Sequence, residues 1–491
     1  MRYCSTRDAA LQKSAHEVIL EGIAPDGGLY VPCEIPKIDV KSLLPLSYAE
    51  RAKRIFAAFL DDYSDEELEG VVRGAYAPGR FDEEGVCPMA QLHDGLFVME
   101  LFHGPTLAFK DVALQAMPRL LPLAAQKSGS KNEILILVAT SGDTGKAALE
   151  GFCDVPGTRI VVFYPKDGVS RAQFLQMATQ NGENTHVVAV EGNFDDCQRG
   201  VKQLFTDAAF EKEMTDQGET LSSANSINWA RLMPQIGYYF STYVDLVNEE
   251  KIAMGDPVNF VVPTGNFGDI LAGEFARLMG LPVGKLVCAS NSNDVLVDFF
   301  KKGEYDSRRP FYKTVSPSMD ILVSSNLERL LFLRTRDDAF VRDAMERLTS
   351  GGAYDCRDLM RVIGDGFYSG RCGENETLAE IRHIFDEYGY CIDPHTAVAM
   401  HVCEEYQKES GDNAVTVVLS TASPFKFTDA VLRALGKEPA GDMFAQAKQL
   451  AEIAKLPVPA PITALENAPI RHERTCAADK MGDAVREILG K

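Results

Sequence analysis

The middle of the chain alternates short, branched apolar runs with helically spaced ones. Ile134 to Ala139, Ile160 to Phe163 and Val187 to Val190 are of strand length and carry no charge. Lys146 to Phe152, Arg171 to Ala178 and Asp195 to Ala208 separate or follow them with apolar residues at helical intervals. The rhythm resumes with Val258 to Val262, a helix from Ile270 to Met279, Lys285 to Ala289, and a late strand from Val415 to Leu419. Strands that are apolar on both sides and separated by helices predict parallel sheets covered on both faces. Earlier in the chain, Ala24 to Pro32 sets turn-forming residues around a short apolar strand. Ala49 to Leu60 then reads as an amphipathic helix with Ile55, Phe56 and Phe59 on one side. Residues 300 to 390 break the alternation with mostly helical, charged sequence and are expected to form an insertion. The fold class is α/β, in several domains.

Composition narrows the partners. The 491 residues are 45% hydrophobic and 25% charged, ordinary for a globular chain. Acidic residues outnumber basic ones 71 to 50, a formal net charge of −21, which argues against a nucleic-acid or anionic-membrane binder. The 11 cysteines form no C-x-x-C pair and the 8 histidines no H-E-x-x-H, so no metal site is expected. Scattered thiols and an N-terminus without a signal-peptide core point to the cytoplasm. The apolar runs are too short to span a bilayer.

In open α/β sheets ligands bind beyond the carboxyl ends of the strands, so the post-strand loops carry the candidate chemistry. Thr140-Ser141-Gly142-Asp143-Thr144-Gly145 enters a helix with small residues that suit an anion, or merely cap the helix. It is not a Walker A loop, because Thr140 and Ala147 occupy positions that require Gly and Ser or Thr. Gly265-Asn266-Phe267-Gly268-Asp269 offers two glycines three apart, able to wrap a phosphate with backbone N–H groups or simply to connect strand and helix. Thr421 brings a hydroxyl to the mouth of the last strand. Lys110 begins a helix with core face Val112, Ala116, Leu120 and Ala124. A lysine there opposes the macrodipole and has apolar neighbours, and both effects favour a neutral, nucleophilic amine. A surface lysine at a helix end is the alternative. Amine, carboxylate loop and phosphate loop together suit pyridoxal phosphate acting on an amino acid.

Phe102-His103-Gly104-Pro105-Thr106-Leu107-Ala108-Phe109-Lys110-Asp111 resembles the cofactor-lysine segment of threonine synthases. The Thr140–Gly145 and Gly265–Asp269 loops, Tyr3-Cys4-Ser5-Thr6-Arg7, the Ala24 to Pro32 turn and Ile392-Asp393-Pro394-His395-Thr396-Ala397-Val398 are similar to further segments of the long microbial form, in the same order. Asp8 and Ser423 depart from that pattern, where glycine and histidine are usual. The resemblance implies a fold-type II enzyme with two open, mostly parallel sheets flanked by helices. It implies an N-terminal domain at 1–94, a large cofactor-binding domain at 95–132 and 211–440 carrying the insertion, a small domain at 133–210, and a helical segment at 441–491. It further implies that pyridoxal 5′-phosphate and water convert O-phospho-L-homoserine to L-threonine and phosphate, in a monomer or homodimer. Lys110 would hold the cofactor as a Schiff base and move protons, while Gly265, Asn266, Phe267, Gly268 and Asp269 would hold its phosphate. Thr421 would meet the pyridine nitrogen. Thr140, Ser141, Gly142, Asp143 and Thr144 would receive the substrate carboxylate or lie beside the ring oxygen. Asn225, Ser226 and Arg231 would grip the substrate phosphate, although Asn225 or Ser226 also reads as a helix cap with Trp229 in the core. Asp393-Pro394 reads as a cap with proline at the first helical position, which leaves His395 outside the site. A doubly anionic substrate in an acidic protein implies a locally positive pocket near Lys110 and Arg231.

Overall fold

The computed structural model describes residues 1–82 and 85–490. Each apolar run becomes a strand whose alternate residues face opposite cores. Six strands form the larger sheet, in the order Phe367–Arg371, Val283–Ser290, Val258–Pro263, Thr416–Ser420, Leu96–Glu100 and Met89–His93. All its pairings are parallel except the last. Phe97, Phe260, Leu286 and Val417 pack toward one core, and Val98, Val261, Val287 and Val418 toward the other. The period of two along a pleated strand requires this division. The smaller sheet is parallel throughout, in the order Arg474–Ala477, Thr185–Glu191, Thr158–Pro165, Glu133–Ala139 and Glu219–Ser222.

Several stretches differ from their sequence reading. Residues 300–390 are not wholly helical. They supply the Phe367–Arg371 edge strand and an antiparallel pair, Glu304–Asp306 with Ala353–Asp355. The segment after 440, expected to be helical, contributes the Arg474–Ala477 edge strand to the smaller sheet. Short strands leave little periodicity to read, which is why both were missed. The first ninety residues hold a three-stranded antiparallel sheet of Gln12–Lys13, Tyr3–Ser5 and Tyr30–Pro32. They do not keep a core of their own. Tyr3 and Phe59 pack edge-on against Trp229, which also meets Phe275.

The Lys110–Lys127 helix is the centre of the molecule. It packs against helices Ala15–Glu21, Asp65–Ala75, Asp143–Phe152 and Trp229–Asn248 and is buried almost all round. Contact with Asp143–Phe152 is so close that a Cβ on Gly151 would stand 1.9 Å from the Leu114 carbonyl oxygen. Lys110 thereby sits between the two sheets.

Candidate active site

Lys110 is fixed by the backbone that precedes it. Leu107 adopts a left-handed conformation with φ 60°, strain that a leucine accepts only when its surroundings enforce it. The Phe109 N–H donates to the Thr421 carbonyl at 2.9 Å, and the Ser423 N–H donates to that of Leu107 at 3.1 Å. These bonds sew the Lys110 segment to the end of strand Thr416–Ser420 and bring Thr421 beside it. Behind the lysine, Asp111 accepts from the Thr106 N–H at 2.8 Å and the Thr106 hydroxyl at 2.6 Å.

The Lys110 ammonium lies 4.7 Å from the Phe109 ring centroid and 3.9 Å from Asp143 Oδ2. Burial pulls its pKa down to about 8. Asp143 and Asp111 oppose that shift, while Lys426 and Arg231 reinforce it. The amine is therefore partly neutral near pH 8, as a nucleophile at carbon requires.

Asp143 opens the helix Asp143–Phe152, and its carboxylate is already engaged. Oδ1 accepts from Lys426 Nζ at 2.7 Å and Gln173 Nε2 at 3.1 Å, and Oδ2 accepts from the Ser318 hydroxyl at 3.0 Å. Burial disfavours its charge, but the ammoniums of Lys426 and Lys110 outweigh that and hold it well below the ordinary carboxylate range. Thr140 is likewise committed, since its hydroxyl oxygen accepts from the N–H groups of Gly142 and Gly145 at 2.9 Å each. Ser141 and Thr144 remain half-exposed at the loop surface.

The second loop is shaped by a close approach. Phe267 holds φ 62° at the entry to helix Gly268–Met279. A Cβ on Gly265 would come within 2.9 Å of the Ser318 carbonyl oxygen, so only glycine fits there. Among the described residues, none accepts a hydrogen bond from the N–H of Gly265, Asn266 or Phe267. These donors at a helix N-terminus suit a phosphate. Asp269 turns away from them. Its Oδ1 accepts from Tyr238 and Tyr239 hydroxyls at 2.6 and 3.0 Å, and burial raises its pKa to about 6.

Arg231 lies in the first turn of Trp229–Asn248, 3% exposed, with no partner for Nε or Nη1 among the described residues. Burial lowers its pKa to about 10 against the pull of Tyr238, Asp111 and Asp269. A buried guanidinium with free donors is costly and suits an anion. The helix is capped by Asn228, which accepts from the Ala230 N–H at 2.9 Å, rather than by Asn225 or Ser226. Trp229 is in the core, as expected. Ser226 stands beside the second loop, 3.4 Å from where a Gly268 Cβ would lie, and accepts from Asn326 Nδ2 at 3.0 Å. Asn225 accepts from the Ser223 hydroxyl at 3.3 Å.

The cluster is thus charge-balanced in formal terms, with Lys110, Lys426 and Arg231 facing Asp111, Asp143 and Asp269. Three participants had no sequence signal of their own: Lys426, Gln173 and Ser318; a fourth, His395, belongs to a family-like segment but is expected from sequence to lie outside the site. The Pro424–Lys426 turn is started by Ser423, whose hydroxyl oxygen accepts from the Phe425 N–H. Lys426 lies five residues past Thr421. His395 Nε2 accepts from the Ser318 N–H at 3.1 Å, while its Nδ1 pairs with Asp393 at 2.6 Å. It supports the turn that reaches Asp143. The expected cap by Asp393 with Pro394 at the first position is present.

The residues fit pyridoxal phosphate: a buried, partly neutral amine for its aldehyde and unpartnered backbone donors for its phosphate. Comparison with known proteins agrees. Family models for the threonine synthase N terminus, for pyridoxal-phosphate dependent enzymes, and for the threonine synthase C-terminal region match residues 2–76, 84–422 and 396–486. Threonine synthase from Pseudomonas aeruginosa is 41% identical over 447 residues, covering 90% of this chain and 92% of that one. Threonine synthase-like 1 from Homo sapiens is 41% identical over 434 residues, covering 85% of this chain; the chain spans 58% of that relative's length. Among solved structures, pyridoxal-phosphate-bound threonine synthase from Brucella melitensis is similar at TM-score 0.85 and 38% identity, over 99% of both chains. The yeast threonine synthase structure is similar at TM-score 0.87 and 34% identity, over 100% of this chain and 99% of that one.

Proposed function

The chain belongs to the threonine synthase family of pyridoxal-phosphate-dependent, fold-type II enzymes, and from that premise we propose that it converts O-phospho-L-homoserine and water to L-threonine and phosphate. The observation that carries this reading is the buried Arg231 guanidinium, with Nε and Nη1 unpartnered, in the same charged cluster as Lys110. An amine alone would serve any enzyme using this cofactor. A second buried cation with free donors argues for a substrate that brings its own phosphate.

Pyridoxal phosphate, when bound, supplies an aldehyde for an amine and an electron sink for charge developing at carbons near the substrate nitrogen. The chain supplies the rest. Lys110 accepts and returns protons at the substrate carbons, a task suited to an amine whose pKa is about 8. The N–H groups of Gly265, Asn266, Phe267, Gly268 and Asp269 would hold the cofactor phosphate, and the Thr421 hydroxyl would serve the pyridine nitrogen. Arg231, with Asn225 and Ser226, grips the substrate phosphate through charge-assisted bonds. The substrate carboxylate falls to Ser141, Gly142 and Thr144, because the Thr140 hydroxyl holds the turn and the Asp143 anion would repel a second carboxylate.

We assign the reaction to the cytoplasm. Among the described residues all 11 cysteines are free, which suits a reducing compartment, and no helix is long and apolar enough to cross a membrane. The test is to supply phosphohomoserine to wild type and to Lys110→Ala and to follow both products. Threonine and phosphate in equal amounts from wild type alone are expected. Phosphate accompanied by 2-oxobutanoate, without threonine, would overturn the assignment in favour of a simple lyase.

A further inference from the structure

Two buried lysines address one carboxylate. Asp143 Oδ1 is 2.7 Å from Lys426 Nζ, whereas Asp143 Oδ2 is 3.9 Å from Lys110 Nζ, beyond hydrogen-bond reach. The Lys426 side chain is wholly buried, and its ammonium also donates to the Thr106 carbonyl at 3.0 Å. The remaining contacts of the carboxylate come from both sides of the molecule. Gln173 lies on helix Arg171–Ala178, beside the smaller sheet, and Ser318 on the Pro317–Met319 turn, which His395 supports. Nothing about the Lys110 segment alone demands a second ammonium at this place.

We propose that Lys426 is a positioning residue that takes up the charge of Asp143 and thereby keeps Asp143 from closing the 3.9 Å gap to hydrogen-bond contact with Lys110, leaving the Lys110 amine free to react. The reasoning is electrostatic. An isolated buried carboxylate would draw the nearest cation onto itself and hold it protonated. With Lys426 in direct contact, Asp143 is already compensated, and Lys426 also repels a proton on Lys110. Removing Lys426 strengthens the foremost of the two carboxylates that favour a proton on Lys110, Asp143 ahead of Asp111, and deletes a cation that disfavours it, so both changes act in the same direction. The other charges facing Lys110 are Arg231 and Asp111, and Asp269 faces Lys110 and Arg231 from the second loop. All three stay in place in the variant.

The proposal rests on Lys110 being the reactive lysine of the proposed function, but its test does not depend on the substrate. The full-length, cofactor-free chain is treated with trace acetic anhydride at pH 6 to 11, and labelling of the Lys110 peptide is quantified by mass spectrometry. Lys426→Met should move the Lys110 midpoint upward, lowering its labelling near pH 7 by about tenfold for each unit moved. The uptake rate of added pyridoxal phosphate at pH 7 should fall in parallel and recover toward pH 10. Lys426→Arg should restore the wild-type midpoint, and Asp143→Asn should move it downward. The Asp143→Asn and Lys426→Arg arms decide the matter if the Met variant does not fold. An unmoved or lowered midpoint in folded Lys426→Met, or an unmoved or raised one in Asp143→Asn, would overturn the proposal. A normal Lys110 response without threonine formation would instead count against the substrate assignment alone.

Discussion

Replacing Arg231 with methionine should pull stability and function in opposite directions. The side chain is 3% exposed, and Nε and Nη1 lack partners among the described residues. Its pKa is lowered to about 10, chiefly by burial. The sign follows from the direction of the shift. The folded protein disfavours the guanidinium charge relative to the unfolded chain, so at neutral pH the charge is a destabilising feature, relieved only as pH rises past 10. A shift of that size corresponds to about 3 kcal/mol. Methionine has a similar length and no polar atoms to leave unsatisfied, so Arg231→Met should gain part of that amount. The gain would be seen as a higher urea midpoint at unchanged slope. Under the proposed function the same change would remove two charge-assisted bonds to the substrate phosphate, worth roughly 1.5–3 kcal/mol each. kcat/KM for phosphohomoserine should therefore fall at least about a hundredfold. Cofactor loading should change little, because the Gly265–Asp269 loop is untouched. A variant that unfolds at lower urea and loses its cofactor would show that Arg231 is a structural residue, and the argument from its free donors would fail.

Two further outcomes test how the site is held. Gly151→Ala would drive a Cβ to within 1.9 Å of the Leu114 carbonyl oxygen and force helices Lys110–Lys127 and Asp143–Phe152 apart. A loss of about 3 kcal/mol in urea unfolding is expected, with impaired cofactor uptake; a neutral effect would contradict the packing described. His103 Nδ1 faces Asp82 at 2.5 Å and Nε2 faces Glu100 at 2.7 Å. Burial lowers its pKa, but the bonds to Glu100 and Asp82 outweigh that and raise it overall. Its stabilising contribution is complete below the ordinary histidine range and lost as pH rises through the raised value. His103→Gln should therefore cost roughly 2 kcal/mol at pH 6 and less at pH 9, measured by urea unfolding at both; a pH-independent cost would refute the charged pairing.

The sequence by itself determined the class of fold and the order of most of its strands and helices. A parallel strand buried on both faces must be apolar throughout, and runs such as Ile134 to Ala139 and Val258 to Val262 state this locally. It also marked the loops that follow those strands, because the termini of strands and helices present backbone donors wherever a parallel sheet ends. Lys110 was legible for a similar reason: an ammonium opening an apolar helix is a local contradiction. The Arg474–Ala477 and Phe367–Arg371 edge strands escaped notice, being only four and five residues long. Their place depends on neighbours far away in the chain.

Tertiary structure alone decided how the charges are shared. Asp143 looked like a helix cap or a carboxylate-binding residue, and it is the common counter-charge of Lys110 and Lys426, which are 316 residues apart in sequence. Lys426, Gln173, Ser318 and His395 carry no periodicity or spacing that assigns them to a site. Hydrophobic patterning is written in neighbouring residues, because burial of an element is a property of its own face. Electrostatic pairing inside a protein depends on distances of a few ångströms between groups from different elements, and only the folded chain sets those distances.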